Sequence, residues 1–403
     1  MVKDFLRDGK LITLMLGHLT VDSYVGVIPV LYPVLIGRFQ LNLATVGLIS
    51  LAYSGMAAIS QPLFGVIADR FGTRLTGAAL AWTAVTFALV GFVPSFPLLV
   101  ALACASGLGS GAFHPFGALD VRSLLPKRSR SAGMSIYVTA GTVGVAIGPL
   151  VGIAVFGLFG IHGTGVLVLP GVASGAYLLW RMRGTVAAAA PSRVAGAATQ
   201  AAPLLAMAAV IGVMMSRSWT ISVFQTFTPT WYRELGYGPG FYGPLVTTLV
   251  LASAVGTVGV GALADRYGRK TLIIATLVLS IPAVLLYTMF PGPWAFGSAI
   301  LIGFLTASTQ PLMLLMAQQL MASRAGLASG LVMGLGFVTG AIGIPINGAL
   351  GDAFGLQRSL MSHAILIAVT IGIALLLPNE REMERYAAPA PPPAEPLKAS
   401  VVT

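Results

Sequence analysis

Charge is what this sequence has least of. Asp, Glu, Lys and Arg together make up 9% of the 403 residues, against roughly 25% in soluble domains. Hydrophobic residues make up 56%, more than a soluble chain of this length could hide in a core. A bilayer removes the need for a polar exterior. Cysteine is nearly missing: Cys104 stands alone, which excludes a disulfide within the chain and a Cys-based metal site. Two catalytic signatures are missing as well. There is no Gly-x-x-x-x-Gly-Lys-Ser/Thr stretch to cradle phosphates and no His-Glu-x-x-His to hold a hydrolytic metal. An ATP-driven pump and an intramembrane metalloenzyme therefore have no support, and neither a cofactor nor a metal is expected.

What charge there is, net +11, is spread in short gaps between apolar runs. It forms no basic patch with interleaved aromatics, so the pattern is that of membrane topology and not of a nucleic-acid footprint. Runs long enough to cross about 30 Å of hydrocarbon at about 1.5 Å per residue recur near 11–36, 44–66, 75–93, 97–119, 131–156, 163–182, 203–230, 240–262, 271–290, 294–318, 326–349 and 359–378. The first is too long for the apolar region of a cleaved signal and is read as a retained span. The expected fold is an all-α polytopic membrane protein of twelve helices in two halves. Residues 1–182 form the N-terminal half and 203–378 the C-terminal half. An Ala/Pro/Gly-rich linker over 183–202 joins them, and a charged, then Pro/Ala-rich, disordered tail covers 379–403.

Lys and Arg set the orientation. With the N-terminus cytoplasmic, nineteen of them fall on that side and three (Arg38, Arg233, Arg358) on the other, with Arg217 inside span seven. Both termini are therefore expected in the cytoplasm. An internal repeat supports the two halves: Gly65-Val-Ile-Ala-Asp69-Arg70-Phe-Gly72 returns as Gly261-Ala-Leu-Ala-Asp265-Arg266-Tyr-Gly268 at an offset of 196. The same offset carries His114-Pro115 onto Gln310-Pro311, Arg128 onto Arg324 and Gly148-Pro149 onto Ile344-Pro345.

The repeated Gly-x-x-x-Asp-Arg-x-Gly string resembles motif A of the major facilitator superfamily, and with the six-plus-six repeat the resemblance covers nearly the whole chain. More narrowly, Gly17-His18-Leu-Thr-Val-Asp22 through Tyr32-Pro33, with Phe113-His114-Pro115, is similar to the fosmidomycin-resistance branch of exporters. That likeness implies a proton-coupled efflux protein for small, anionic or antibiotic-like compounds in a bacterial inner membrane, active as a monomer. Gly144-x-x-x-Gly148-Pro149-x-x-Gly152 resembles the antiporter motif, though Ile153 breaks its closing glycine pair. Glycines four apart let helices approach closely, and Pro149 bends the helix by withholding an N–H. One departure counts against simple analogy. The Arg-x-x-Gln-Gly of many proton antiporters is replaced by Ala103-Cys104-Ala105-Ser106-Gly107, so other groups must carry protons. For motif A itself, Gly72 and Gly268 permit a tight turn. Asp69 and Asp265, at cytoplasmic helix ends, could latch the halves against the starts of spans five and eleven; the plainer reading is that they brace loops.

Ionisable groups inside spans are costly and usually functional. His18 and Asp22 share a face of span one, His114 lies in span four, and Arg217 lies midway along span seven. The repeat offset places Asp22 opposite Ser218, beside Arg217, so an Asp22–Arg217 interaction across the central cavity is expected, broken and remade as substrate or protons come and go, with His18 and His114 assisting proton movement. A static ion pair is the structural alternative. His162 and His363 fall near loop or helix ends and carry little weight. Cavity candidates are Tyr24, Tyr32, Tyr53, Tyr137, Trp219, Phe224, Gln225 and Gln310, although aromatics in spans are more often packing residues. The leading expectation is a secondary exporter with protons as coupling ion. An uptake symporter is the nearer rival, and a non-transporting membrane receptor the rival from another class.

Overall fold

In a computed structural model, residues 8–125, 130–183, 204–321 and 325–387 are described, and they are helical almost throughout. In chain order the N-terminal half comprises α1 (Gly9–Phe39), α2 (Leu43–Ser50, a π turn Leu51–Gly55, then Met56–Phe71) and α3 (Thr76–Ala88, ending in a tight turn Leu89–Phe92). It continues with α4 (Phe96–Leu124), α5 (Arg130–Phe159) and α6 (Val168–Arg181). The C-terminal half comprises α7 (Leu204–Glu234), α8 (Pro239–Tyr267), α9 (Arg269–Met289), α10 (Ala295–Ala307, then Gln310–Leu320), α11 (Ala325–Phe354) and α12 (Leu356–Met361, then His363–Ala374). Each expected span holds one of these helices. Ten helical stretches have the length and apolar composition to cross a membrane; Thr76–Phe92 is a shorter apolar helix.

Local chemistry fixes the helix ends. Asp8 caps α1 by accepting from the backbone N–H groups of Lys10 and Leu11, and Asn42 caps α2 through Thr45. Pro29 and Pro33 lie inside α1, and α5 runs through Pro149 without a break; inside a membrane bundle, neighbouring groups satisfy the carbonyls that proline leaves free. Gly72 and Gly268 have φ of 73° and 82°, a region closed to most side chains, so the glycine-ended turns stand. The side chains of Asp69 and Asp265 lie outside the described residues, and with them the latch expected there.

The tail expected from 379 is corrected at its start. Glu380–Ala387 forms a further helix, α13. Asn379 and Glu382 cap each other reciprocally: Glu382 N–H donates to Asn379 Oδ1 at 3.0 Å and Asn379 N–H to Glu382 Oε2 at 2.7 Å. Met383 is buried, and Glu380 pairs with Arg269 at 2.6 Å. A short capped helix with one buried apolar anchor and one ion pair is ordered where composition alone reads as solvated chain. Of the linker expected over 183–202 only Arg183 is described, and the tail beyond 387 lies outside the described residues.

The α5 glycines bring α5 onto α1. A Cβ on Gly144 would lie 2.2 Å from the Leu19 carbonyl oxygen, and one on Gly148 2.5 Å from that of Ser23. On Gly152 it would meet Val30 at 2.7 Å. The halves meet through α2–α11 and α5–α8. Asp352 of α11 accepts from the N–H groups of Leu43 and Ala44 at 2.7 and 2.9 Å, capping α2 from the opposite half. Arg233 donates to the Pro33 carbonyl, and Thr247 Oγ1 to that of Ala146 at 2.7 Å. The Asp352 and Arg233 bonds cross the seam at the end of the bundle away from the termini.

Candidate functional site

Position i and i+4 on α1 put His18 and Asp22 on one face, and α4 brings His114 to the same point. His18 Nε2 lies 3.2 Å from Asp22 Oδ2, and His114 Nε2 lies 3.1 Å from Oδ1. The other ring nitrogens are anchored on backbone. His18 Nδ1 is 2.9 Å from the Tyr137 carbonyl oxygen, and His114 Nδ1 is 2.7 Å from that of Ser110. The Tyr137 ring stacks on His18 with centroids 4.3 Å apart. Gly141 of α5 closes the wall: a Cβ there would stand 2.4 Å from Asp22 Oδ2 and 2.5 Å from His18 Nε2. The side chains are 6%, 15% and 29% exposed for His18, Asp22 and His114, so solvent reaches the cluster from the His114 side. The donor types would suit a metal. Each imidazole meets a different carboxylate oxygen, His114 Nε2 in a hydrogen bond and His18 Nε2 at ion-pair distance.

The expected Asp22–Arg217 contact is absent. Arg217 is buried in the C-terminal half, where Nη1 donates to the carbonyls of Leu305 and Thr306 at 2.7 and 3.0 Å. Nη2 donates to the Ile273 carbonyl at 3.2 Å and to Thr276 Oγ1 at 2.6 Å. The cause is the break in α10. Residues 308–309 leave the helical path between Ala307 and Gln310, so the carbonyls at the end of its first piece lose their helical partners. The guanidinium fork supplies them, at the negative end of a helix dipole. Repeat symmetry put Arg217 near Asp22 in register, but it does not say which way a long side chain turns.

Between the halves lies a cavity lined by Val25, Gly26, Ile28 and Pro29 of α1, Ser50 and Ser54 of α2, and Val145 of α5. Ser222, Gln225 and Thr226 of α7, Val246 and Val250 of α8 and Ile344 of α11 complete it. The histidine–aspartate cluster is one helical turn away on two walls: Asp22 precedes Gly26 on α1, and Gly141 precedes Val145 on α5. Of the cavity candidates, Gln225 lines it directly, and Tyr32 reaches it through a 2.7 Å hydrogen bond to Ser50 Oγ. Tyr53 sits buried on the π turn beside Ser54, and Tyr137 belongs to the cluster. Tyr24 turns away, donating to the Leu167 carbonyl at 2.7 Å. Trp219 donates to Asn347 Oδ1 at 2.7 Å, and Phe224 packs on Tyr287 and His363 inside its own half. Gln310 is half-buried where α10 resumes.

Sequence reasoning missed three groups. Ser50, Ser54, Ser222 and Thr226 are too common in helices to stand out in a pattern. Asp120 falls one residue past the expected fourth span, yet is 1% exposed and accepts from Thr73 and, at 2.8 Å, from Thr76. His363 is at a helix start as expected, but buried, with Nδ1 3.0 Å from Thr220 Oγ1 of α7.

The model of the Major Facilitator Superfamily matches residues 14–331 and 207–402. The chain belongs to the major facilitator superfamily. It is therefore a multi-pass membrane transporter and not an enzyme. Among its superfamily relatives, it is 28% identical over 393 residues to the uncharacterized MFS-type transporter YfnC of Bacillus subtilis, covering 93% of this chain and 94% of that one. It is 25% identical over 385 residues to the fosmidomycin resistance protein of Escherichia coli, with the same coverage. The fold is similar to that of a bacterial homolog of the lysosomal transporter Spinster in an inward-facing, occupied conformation. The TM-score is 0.80 at 17% identity, covering 93% of this chain and 96% of that one.

Proposed function

We propose that this transporter exports a small, anionic or antibiotic-like solute in exchange for protons, by alternating access to one cavity between its halves. The observation that carries the reading is the His18–Asp22–His114 cluster, one turn from a cavity lined by both halves. It is a group of proton-accepting side chains placed in a membrane bundle at the cost such groups carry there. It supplies proton-accepting groups in a chain that lacks the arginine of span four. Arg217 braces α10 in this reading and does not exchange with Asp22. Cavity hydroxyls and Gln225 supply hydrogen bonds to the solute among apolar walls, as small-molecule sites do. The similarity to the fosmidomycin resistance protein supports export. The Lys and Arg count supports an inner-membrane protein with both termini cytoplasmic, and twelve helices form a complete monomer. On that orientation the seam bonded by Asp352 and Arg233 faces outward.

The test is a growth-inhibition panel in a pump-deficient bacterial host, including fosmidomycin and other small anionic toxins, at matched membrane expression. Wild type should raise resistance to at least one compound and Asp22→Asn should abolish the gain. Greater sensitivity with wild type than with empty vector would show uptake and overturn export.

A further inference from the structure

We infer that the His18–Asp22–His114 cluster is a two-proton site. The reading of the cluster as the coupling site gives the inference its use, but the count rests on the geometry of its contacts alone. Backbone carbonyls only accept, so His18 Nδ1 facing Tyr137 O at 2.9 Å and His114 Nδ1 facing Ser110 O at 2.7 Å each carry a hydrogen. Both tautomers are thereby fixed. A neutral ring then presents a bare lone pair at Nε2, and an ionised carboxylate presents only lone pairs. The Nε2 atoms nevertheless stand 3.2 and 3.1 Å from two different oxygens of Asp22. The His114 contact is a hydrogen bond and the His18 contact lies at ion-pair distance; a bare ring lone pair against a carboxylate repels it, so each contact calls for a proton and the observed geometry holds two. Two imidazolium rings over a carboxylate, or one imidazolium beside a protonated carboxyl, give the same total charge of +1.

Among the described residues, the further ionisable group nearest the cluster is Asp120 of α4, which acts on the Tyr137 phenol. Facing the cluster are the phenols of Tyr137 on α5 and Tyr53 on α2, the Phe113 ring on α4 and the bare Gly141 on α5. The phenols are neutral in the physiological range. The two contacts are not equivalent. His18 is held by both the carbonyl and the stacked ring of Tyr137 and is 6% exposed, whereas His114 is 29% exposed and precedes Pro115. The His114 contact is thus the one on the side solvent reaches, and protons held by the cluster belong to it as a whole, not to single residues.

With four histidines in the chain, histidine-selective nitrogen-15 NMR of the full-length protein in lipid nanodiscs can count them directly. His18→Asn and His114→Asn provide the assignments. Titration from alkaline to mildly acidic pH should show Nδ1 protonated on both rings throughout, and two protons gained by the cluster. Asp22→Asn should gain one, because its amide donates to one Nε2 and accepts from the other. A single proton gained by wild type, a bare Nδ1 on either ring, or ring shifts that change on adding a chelator (a bound metal) would overturn the inference. The count needs no transport. Two protons with export unaltered in Asp22→Asn would sink the coupling reading alone, and one proton with proton-dependent export would sink the count alone.

Discussion

Replacing Asp22 and replacing Arg217 are expected to do different damage, because their partners differ in kind. Asp22 is held by two ionisable imidazoles, whereas Arg217 is held by three carbonyls and a hydroxyl. Asp22→Asn is predicted to keep the protein in the membrane and abolish export. Arg217→Lys should instead lower thermal stability in detergent by about 3 kcal/mol, since an ammonium cannot meet four acceptors arranged for a fork. Equal loss of activity at unchanged stability in both would contradict the assignment. Gly141→Ala gives a third outcome: its Cβ needs the space of Asp22 Oδ2, so export should fall at least tenfold with normal expression. His18, Asp22 and His114 were legible as ionisable groups in apolar runs. The approach of His114 to the His18–Asp22 pair was not, because α1 and α4 meet through tertiary packing that no spacing encodes. Register alone placed Arg217 beside Asp22, whereas in this conformation its guanidinium turns into its own half.

At the scale of single elements, the turn glycines and the new helix carry the tests. Gly268→Ala should cost about 1 kcal/mol, since φ of 82° excludes a Cβ at no strain, and thermal unfolding measures it. In α13, hydrogen bonds from the Arg269 side chain hold the Glu380 carboxyl below the usual glutamate range, against the opposing effect of burial. A depressed folded-state value means the contribution is complete above the unfolded-state value and is lost as pH falls through the lower, folded one. Amide-exchange protection over 380–387 should persist at neutral pH and fade only in strong acid. Glu380→Gln should remove part of it at neutral pH, by under about 1 kcal/mol for so exposed a pair. The helices themselves were readable from apolar length alone. The break in α10, the π turn in α2 and the fold of α13 were not, because each depends on a partner distant in sequence or on backbone hydrogen bonds rather than composition.

For the whole molecule, the repeat at offset 196 pointed to two halves and the asymmetric Lys and Arg count to an expected orientation before any coordinate. Which end of the bundle is closed had no such signal: the carboxylate that bonds the seam, Asp352, belongs to no motif. It caps α2 from α11, and a cap of this kind is worth about 1 kcal/mol. Asp352→Ala should therefore shift the two-state equilibrium about fivefold toward opening at that end. Spin labels at Gly37→Cys and Gly240→Cys, open positions on the two halves, in a Cys104→Ser background, would report it as a larger population of long distances. An unchanged distribution would show that Asp352 does not hold the seam.

The most direct measurement is proton movement in everted membrane vesicles, using the compound to which the chain confers most resistance. With an imposed acid-inside gradient, adding that compound should dissipate the gradient in wild-type vesicles and leave it intact with Asp22→Asn. Dissipation that persists in Asp22→Asn, or solute accumulation in wild type that ignores the gradient, would contradict proton-coupled export through the His18–Asp22–His114 cluster.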